Sequence, residues 1–372
     1  MRRVFVLSTF LACLAVATAS AQDIQSIKLL TANTGWAASD QRLFWTDDNG
    51  GNWKDITPRT PNSPKIASVF FLDTSTGWVL LSHLTESDDL PIFDLASTTN
   101  AGKDWMVVRV KLPKLYPEST LAGGGDISFV DRNHGWMNLS VVSGAAAHTG
   151  VLAATSDAGK SWYWLPSTTS GEIEFVTAKD GWVVSPSKDE MYVTHDGAKT
   201  WSGLSLQTPS GFHGPAAASF SLPALADHTH GYMVVTFSGP EDPQYWLALY
   251  TTNDGGHDWR EANVEPVTAS SVTSAVTGSA WVTASIAKSS LRLQAVTPGS
   301  KAPTSIVSAD LAEIGHRVAI WKASFVSAGQ GWLLAQVLNP PGTGVQGRQL
   351  FATSNGGTSW VNVTPPHSTN PK

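Results

Sequence analysis

Three carboxylates stand at positions where most of the chain's repeated units place small side chains. Asp126 and Ser128 flank Ile127 before Phe129, and Glu172 and Glu174 flank Ile173 before Phe175. Two acids held close together can share acid and base work on a glycosidic bond. The same acids can contact a ligand or an ion, or line a solvated passage, and the sequence leaves all three readings open. Glu174 is the least expected, since a carboxylate within an inner strand needs a partner or water. Asp126, Glu172 and Glu174 are therefore the catalytic candidates if the chain is an enzyme, and no catalytic role is assigned beyond them.

Other residues could reach the same region. His213 lies in a connector, and Tyr116, Phe93, Tyr245, Trp246 and Trp321 lie in or beside inserts. Aromatic faces there can stack on sugars or anchor a peptide, or pin their own loops. The expected ligand-binding set is Asp126, Glu172, His213, Tyr245, Trp246 and Trp321. His83, His148, His228 and His230 lack metal-ligand spacing, so neither a metal nor a cofactor is expected. Glu86, Asp88, Asp89 and Asp94 form an acidic insert without the ordered alternation of a calcium loop. Neither a phosphate-cradling glycine loop nor a nucleophile elbow is present.

The elements that must position these groups come from a repeat. The pattern Thr-x-Asp-x-Gly-x-x-Trp occurs at Thr46, Asp48 and Trp53, at Thr155, Asp157 and Trp162, and at Thr252, Asp254 and Trp259. Looser copies hold Asn100 with Trp105, Asp196 with Trp201, where Ala198 replaces glycine, and Asn355 with Trp360. Gly-Trp, or a variant of it, precedes each copy, with aromatics at 36, 78, 136, 182, 232, 281 and 332. Their separations of 42 to 58 residues match a four-stranded propeller blade. Short runs rich in Val, Ile, Thr and Trp, bounded by Gly, Asn and Asp, read as strands.

The fold predicted is all-β: a seven-bladed β-propeller of four-stranded antiparallel blades, with the repeated turn joining strands three and four. First strands are expected innermost, and the ring is expected to close without a strand swapped between first and last blades. In the turns, Asp or Asn accepts backbone N–H groups, Gly allows positive φ, and Trp ties strand three to strand four. Twelve of the 16 tryptophans occupy repeat slots, which makes the repeat a statement about architecture. Its acids should lie on the face opposite the ligand site. That site is expected around the central channel, beside the loops between strands two and three. Unit six lacks the turn, with Ser290 to Val296 as its third strand and a different turn at 298–303. Residues 83–94 read as a loop insert in unit two, 339–349 as another in unit seven, and 311–320 as one short helical turn.

Bulk properties narrow the setting. Arg2 and Arg3 precede an apolar run and an Ala19-Ser20-Ala21 site, so residues 1–21 read as a secretory signal, followed by the propeller at 22–365 and a tail at 366–372. Cys13, the single cysteine, leaves with the signal unless it carries a lipid. Loss of Arg2 and Arg3 takes the formal charge from −6 to −8. The remaining basic residues are scattered, which argues against a nucleic-acid partner. No later stretch is apolar enough to span a membrane. The expected setting is periplasmic or extracellular, and the expected state monomeric.

The turns at 46–53, 155–162 and 252–259 are similar to Asp-box, or BNR, repeats. Together with Gly-Trp and strands such as Ile127-Ser128-Phe129, they make the mature chain resemble the photosystem II stability and assembly factor family and its relatives in non-photosynthetic bacteria. That resemblance implies a binding scaffold that holds membrane-protein intermediates through a basic patch. Asp boxes also occur in sialidases and some endoglucanases. A sialidase would need an arginine triad, and none of the mature-chain arginines, from Arg42 to Arg348, sits in the matching motif. The expected function is a secreted or periplasmic binding and assembly scaffold for an envelope or extracellular protein, or for a glycan. The alternative is a carbohydrate-active hydrolase or lyase using the channel-face carboxylates.

Overall fold

The computed structural model describes residues 23–366, apart from 62–63, 85–90, 112–118, 144–147, 210, 214–215, 226, 241, 268–270, 278–279, 288–289, 297–304, 311–317 and 339–344. The expected signal at 1–21 with Cys13, Tyr116, the acids at 86, 88 and 89, the expected turn at 298–303 and residues 367–372 of the expected tail lie outside the described residues.

Every regular element among them is a strand, and the strands form seven antiparallel sheets in chain order. Blade one contains β1 (Ser26–Leu29), β2 (Gly35–Ala38), β3 (Leu43–Thr46) and β4 (Lys54–Asp55). Blade two contains β5 (Lys65–Phe71), β6 (Gly77–Leu84), β7 (Pro91–Thr98) and β8 (Met106–Arg109). Blade three contains β9 (Ser119–Phe129), β10 (Gly135–Ser143), β11 (His148–Thr155) and β12 (Tyr163–Leu165). Blade four contains β13 (Glu172–Phe175), β14 (Gly181–Val184), β15 (Met191–Thr194) and β16 (Ser202–Gly203). Blade five contains β17 (Ala217–Phe220), the short β18 (Ala224–Leu225), β19 (Gly231–Gly239), β20 (Asp242–Thr252) and β21 (Arg260–Val267). Blade six contains β22 (Ser271–Val276), β23 (Trp281–Ala287), β24 (Ser290–Val296) and β25 (Ser305–Asp310). Blade seven contains β26 (Val318–Phe325), β27 (Gly331–Leu338), β28 (Val345–Thr353) and β29 (Val361–Asn362).

The predicted seven-bladed propeller is therefore present, and unit six is a complete four-stranded blade despite lacking the turn. Three local expectations fail. Most of the supposed insert at 83–94 is strand: β6 and β7 pair out to Leu84↔Pro91, which leaves only 85–90 between them. Val318 to Ile320 begins β26 rather than belonging to a helical turn. Similarly, β28 already starts at Val345, inside the supposed unit-seven insert.

The two sequence markers meet across one strand pair. The Gly of each Gly-Trp or Gly-Tyr faces the Thr of the turn, as in Gly35↔Thr46, Gly135↔Thr155 and Gly231↔Thr252. In blades two, three, four and seven, glycine is required at this point because the inner-strand Phe lies over it. A Cβ on Gly135 would sit 2.4 Å from the Phe129 ring. Each turn is then wound by two acceptors. In blade one, Thr46 Oγ1 accepts the Gly50 N–H at 2.9 Å, and Asp48 Oδ1 accepts the Asn52 N–H at 2.8 Å. The Asn turns repeat the pattern through Asn100 and Asn355. Asn49 and Gly50 both take positive φ, and in blade four Ala198 does so at 69°.

Three of the turn tryptophans work differently from the expectation, while Trp162 Nε1 donates to Gly159 O of its own turn at 3.1 Å. Trp53 Nε1 donates to Val363 O at 2.7 Å, and Trp105 Nε1 to Ile56 O at 2.7 Å. Trp201 Nε1 likewise reaches Pro166 O at 3.3 Å. These indoles tie a blade to the end of the preceding one, and not strand three to strand four within a blade. The other tryptophan set packs the opposite way: Trp78 stacks on Phe129 of blade three at 3.8 Å, and Trp136 on Phe175 of blade four at 3.8 Å. Each blade is thus clasped on both sides by aromatic area, which supplies cohesion without disulfides. The ring closes by the same contacts, with Trp332 Nε1 donating to Asn49 Oδ1 at 2.8 Å.

Candidate functional site

First strands line the centre. Neighbouring ones touch across blade boundaries, as β1 does β26 and β9 does both β5 and β13. A strand edge facing its neighbour leaves N–H groups to satisfy. Here side chains of one blade serve the next. Ser324 Oγ accepts the Leu29 N–H at 2.9 Å, and Ser128 Oγ accepts the Phe175 N–H at 2.9 Å. Asp126 does the same with more reach. Its Oδ2 accepts the Ile173 N–H at 3.0 Å, and its Oδ1 accepts the Ser68 hydroxyl at 2.6 Å. One carboxyl therefore links blades two, three and four.

The channel opens into a bowl of about 890 Å³. Its wall contains Asp126, Glu172, Glu174, Lys28, Lys188 and Lys322, between serines and apolar groups such as Ile27, Phe70 and Leu222. Six ionisable groups, three acidic and three basic, thus share one open space. Lys188 Nζ stands 3.6 Å from Glu172 Oε1. Burial raises the Glu174 carboxyl to about 7; the Lys28 ammonium pulls it back and the Asp126 charge adds to the rise. Burial also raises Asp126, against its hydrogen bonds from Ser68 and Ile173, while Glu172 pushes it further up. Lys322 is exposed to channel water yet sits deep within the ring of blades. The second fact governs its ammonium: desolvation lowers its pKa, although Glu172 and Asp126 oppose the change.

The expected ligand-binding residues separate into two groups. Asp126 and Glu172 share the bowl with Glu174, whereas His213, Tyr245, Trp246 and Trp321 are not in its wall. Trp246 packs edge-on to Phe212 at 6.2 Å and against Gly211, so it pins a connector. Tyr245 and Trp321 are exposed, at 44% and 53%. Trp321 sits at a β-bulge next to Lys322, with the Arg348 guanidinium 3.9 Å over its ring. His213 is exposed in its connector. Phe93, expected at the surface, is fully buried between blades two and three. Asp94 is buried too, bonded to Arg109 Nε and to its Nη2 at 3.3 Å.

Sequence reasoning passed over the three lysines. Lys28 and Lys322 occupy the same aligned inner-strand positions as Glu174 and Glu172, where most other blades hold small residues. Their departure from that pattern was the available signal. Lys188 comes from the loop between β14 and β15, on the face where ligand-contacting loops were expected. The turn acids behave as the repeat implies. Asp48 and Asp196 are held down at about 2, chiefly by side-chain hydrogen bonds from Asn52 and Thr200.

No family model matches the chain, and no curated protein matches it. Solved structures do. YCF48 bound to D1 peptide aligns at TM-score 0.55 and 17% identity over 91% of this chain and 95% of that one. In fold, the chain resembles YCF48. YCF48 from Cyanidioschyzon merolae aligns at TM-score 0.48 and 14% identity, covering 83% and 89%. An ancestral GH74 enzyme aligns at TM-score 0.51 and 13% identity, covering 92% of this chain but 46% of the enzyme. At these identities the likeness is one of fold.

Proposed function

We propose that the chain is a binding and assembly scaffold that takes a polypeptide segment of an envelope or extracellular protein into the channel bowl. The observation that carries this reading is the mixed charge of the bowl, with three lysines and three carboxylates around about 890 Å³. A polypeptide offers charges of both signs and backbone groups that such a wall can match, whereas a polyanion would meet the acids. Asp126 is engaged by three blades, which makes it a fixed part of the wall. The YCF48 structure, which holds a D1 peptide, supports the reading by showing that this kind of propeller can accept one. Among the described residues, no helix is long and apolar enough to cross a membrane. A leader at 1–21 that directs the chain to the periplasm or beyond completes the proposal.

A second reading rests on Glu174. A carboxyl poised at about 7 has the character of a general acid, and a hydrolase acting on a glycan would use it. The two readings part in one experiment. Wild type, Glu174→Gln and a Lys28→Glu/Lys322→Glu double variant are compared for retention of envelope proteins and for release of reducing ends from a polysaccharide panel. The scaffold reading expects retention that survives Glu174→Gln, collapses in the double variant, and comes with no turnover. Turnover abolished by Glu174→Gln would establish the hydrolase instead.

A further inference from the structure

Away from the bowl, on the face of the repeated turns, two histidines from adjacent blades meet. His195 belongs to the turn of blade four and His257 to that of blade five. Their rings stack at 3.7 Å between centroids with 13° between planes. Each ring is held through Nδ1. His195 Nδ1 pairs with Asp180 Oδ1 at 2.8 Å, and His257 Nδ1 with the Asp254 carbonyl at 2.9 Å. A carboxylate and a carbonyl are acceptors, so each Nδ1 carries the proton and each Nε2 presents a lone pair. Asp180 is itself braced, its Oδ2 accepting the Thr177 hydroxyl at 2.7 Å.

Metal-binding histidines are oriented this way, with the second ring nitrogen donating to a carboxylate or carbonyl behind them. Asp180, His195 and His257 each offer one ligand atom within 4.8 Å of the others. A tetrahedral ion with Zn–N bonds of ~2.1 Å holds two nitrogens roughly 3.4 Å apart and lies in the plane of both rings, so the exposed His257 ring must swing out of the stack to share an ion with His195. A hollow of about 200 Å³ lies beside His195, lined also by Asp196, Thr200 and Trp201. We propose that His195 and His257 form a zinc-type divalent metal site that bridges blades four and five, with Asp180 positioning His195. Water would fill the remaining coordination positions, so the site is a modest binder. Chain spacing could not reveal it, because 62 residues and a blade boundary separate the two rings.

The test uses the mature protein without a histidine tag, stripped with chelator and titrated with zinc chloride in a calorimeter. One saturable site with a Kd in the micromolar range is expected, together with a zinc-dependent rise in Tm. His195→Ala and His257→Ala should each weaken binding at least tenfold and abolish the Tm rise, and Asp180→Asn should weaken it by ~10–100-fold. His134→Ala, in another blade, should bind as wild type does. Unliganded melts of every variant show whether the fold persists, and His257→Gln supplies a second variant at the exposed ring. No saturable site would overturn the proposal. So would unchanged affinity in the folded His195 and His257 variants, or a magnesium response equal to that of zinc.

Discussion

Replacing Glu174 with Gln tests whether the channel stores electrostatic cost. In the folded chain this carboxyl titrates at about 7 against an ordinary 4.5, chiefly because burial disfavours its charge. Folding therefore favours the protonated form. Stability is full below the unfolded value, falls as pH rises from 4.5 through about 7, and is level above. A displacement of that size corresponds to ~3.4 kcal/mol at 1.36 kcal/mol per pKa unit. Channel water screens part of it, so the loss between pH 4 and pH 8 should be about 1–3 kcal/mol. Gln cannot ionise and escapes the loss. Urea unfolding of both proteins at pH 4 and pH 8 isolates the effect, because other titrations cancel in the difference. Glu174→Gln should match wild type at pH 4 and be more stable by about 1–3 kcal/mol at pH 8. An equal difference at the two pH values would refute the reasoning. A variant less stable at pH 8 would mean that Glu174 is ionised and held by Lys28.

Three further outcomes follow from the blade contacts. Ser324→Ala removes the acceptor for the buried Leu29 N–H and should cost about 1–3 kcal/mol, with hydrogen exchange rising first in β1. Trp78→Leu removes the face stacked on Phe129 and should cost about 2–4 kcal/mol in urea unfolding. Asp157→Asn should cost only about 1 kcal/mol or less at pH 7. The Asn355 turn shows how it adapts: there the amide donates to Ser359 Oγ at 2.8 Å, where in the Asp157 turn the Ser161 hydroxyl donates at 2.6 Å. Circular dichroism and the unfolding midpoint check that substitution.

The architecture was legible because it is written many times. Thr, Asp or Asn, Gly and Trp recur at fixed offsets, and each solves a local problem of turn winding or blade packing. The direction of the turn tryptophans was not legible, since an indole that reaches Val363 from position 53 depends on ring closure. The candidate site was legible only in part. Asp126, Glu172 and Glu174 stood out as acids among small residues, and the structure brings all three into one bowl. The lysines opposite them broke the same pattern, but basic residues scattered along the chain carry no local signal that they share a site. Phe93 was placed outside because its stretch resembled a loop, whereas long strand pairing carries it into the core. The His195–His257 pair depends on two turns meeting across blades, which no single stretch encodes.

The central claim is that the charged bowl receives a polypeptide. A photocrosslinking residue at Ser274 in the bowl wall, and another at the exposed Tyr163 of the outer strand β12, would report where a partner lies. Crosslinked envelope peptides, identified by mass spectrometry, should arise from position 274 and not from 163. They should vanish when Lys28 and Lys322 are both reversed to Glu. Equal crosslinking at both positions, or crosslinking at 274 that is indifferent to the lysine reversals, would contradict the account.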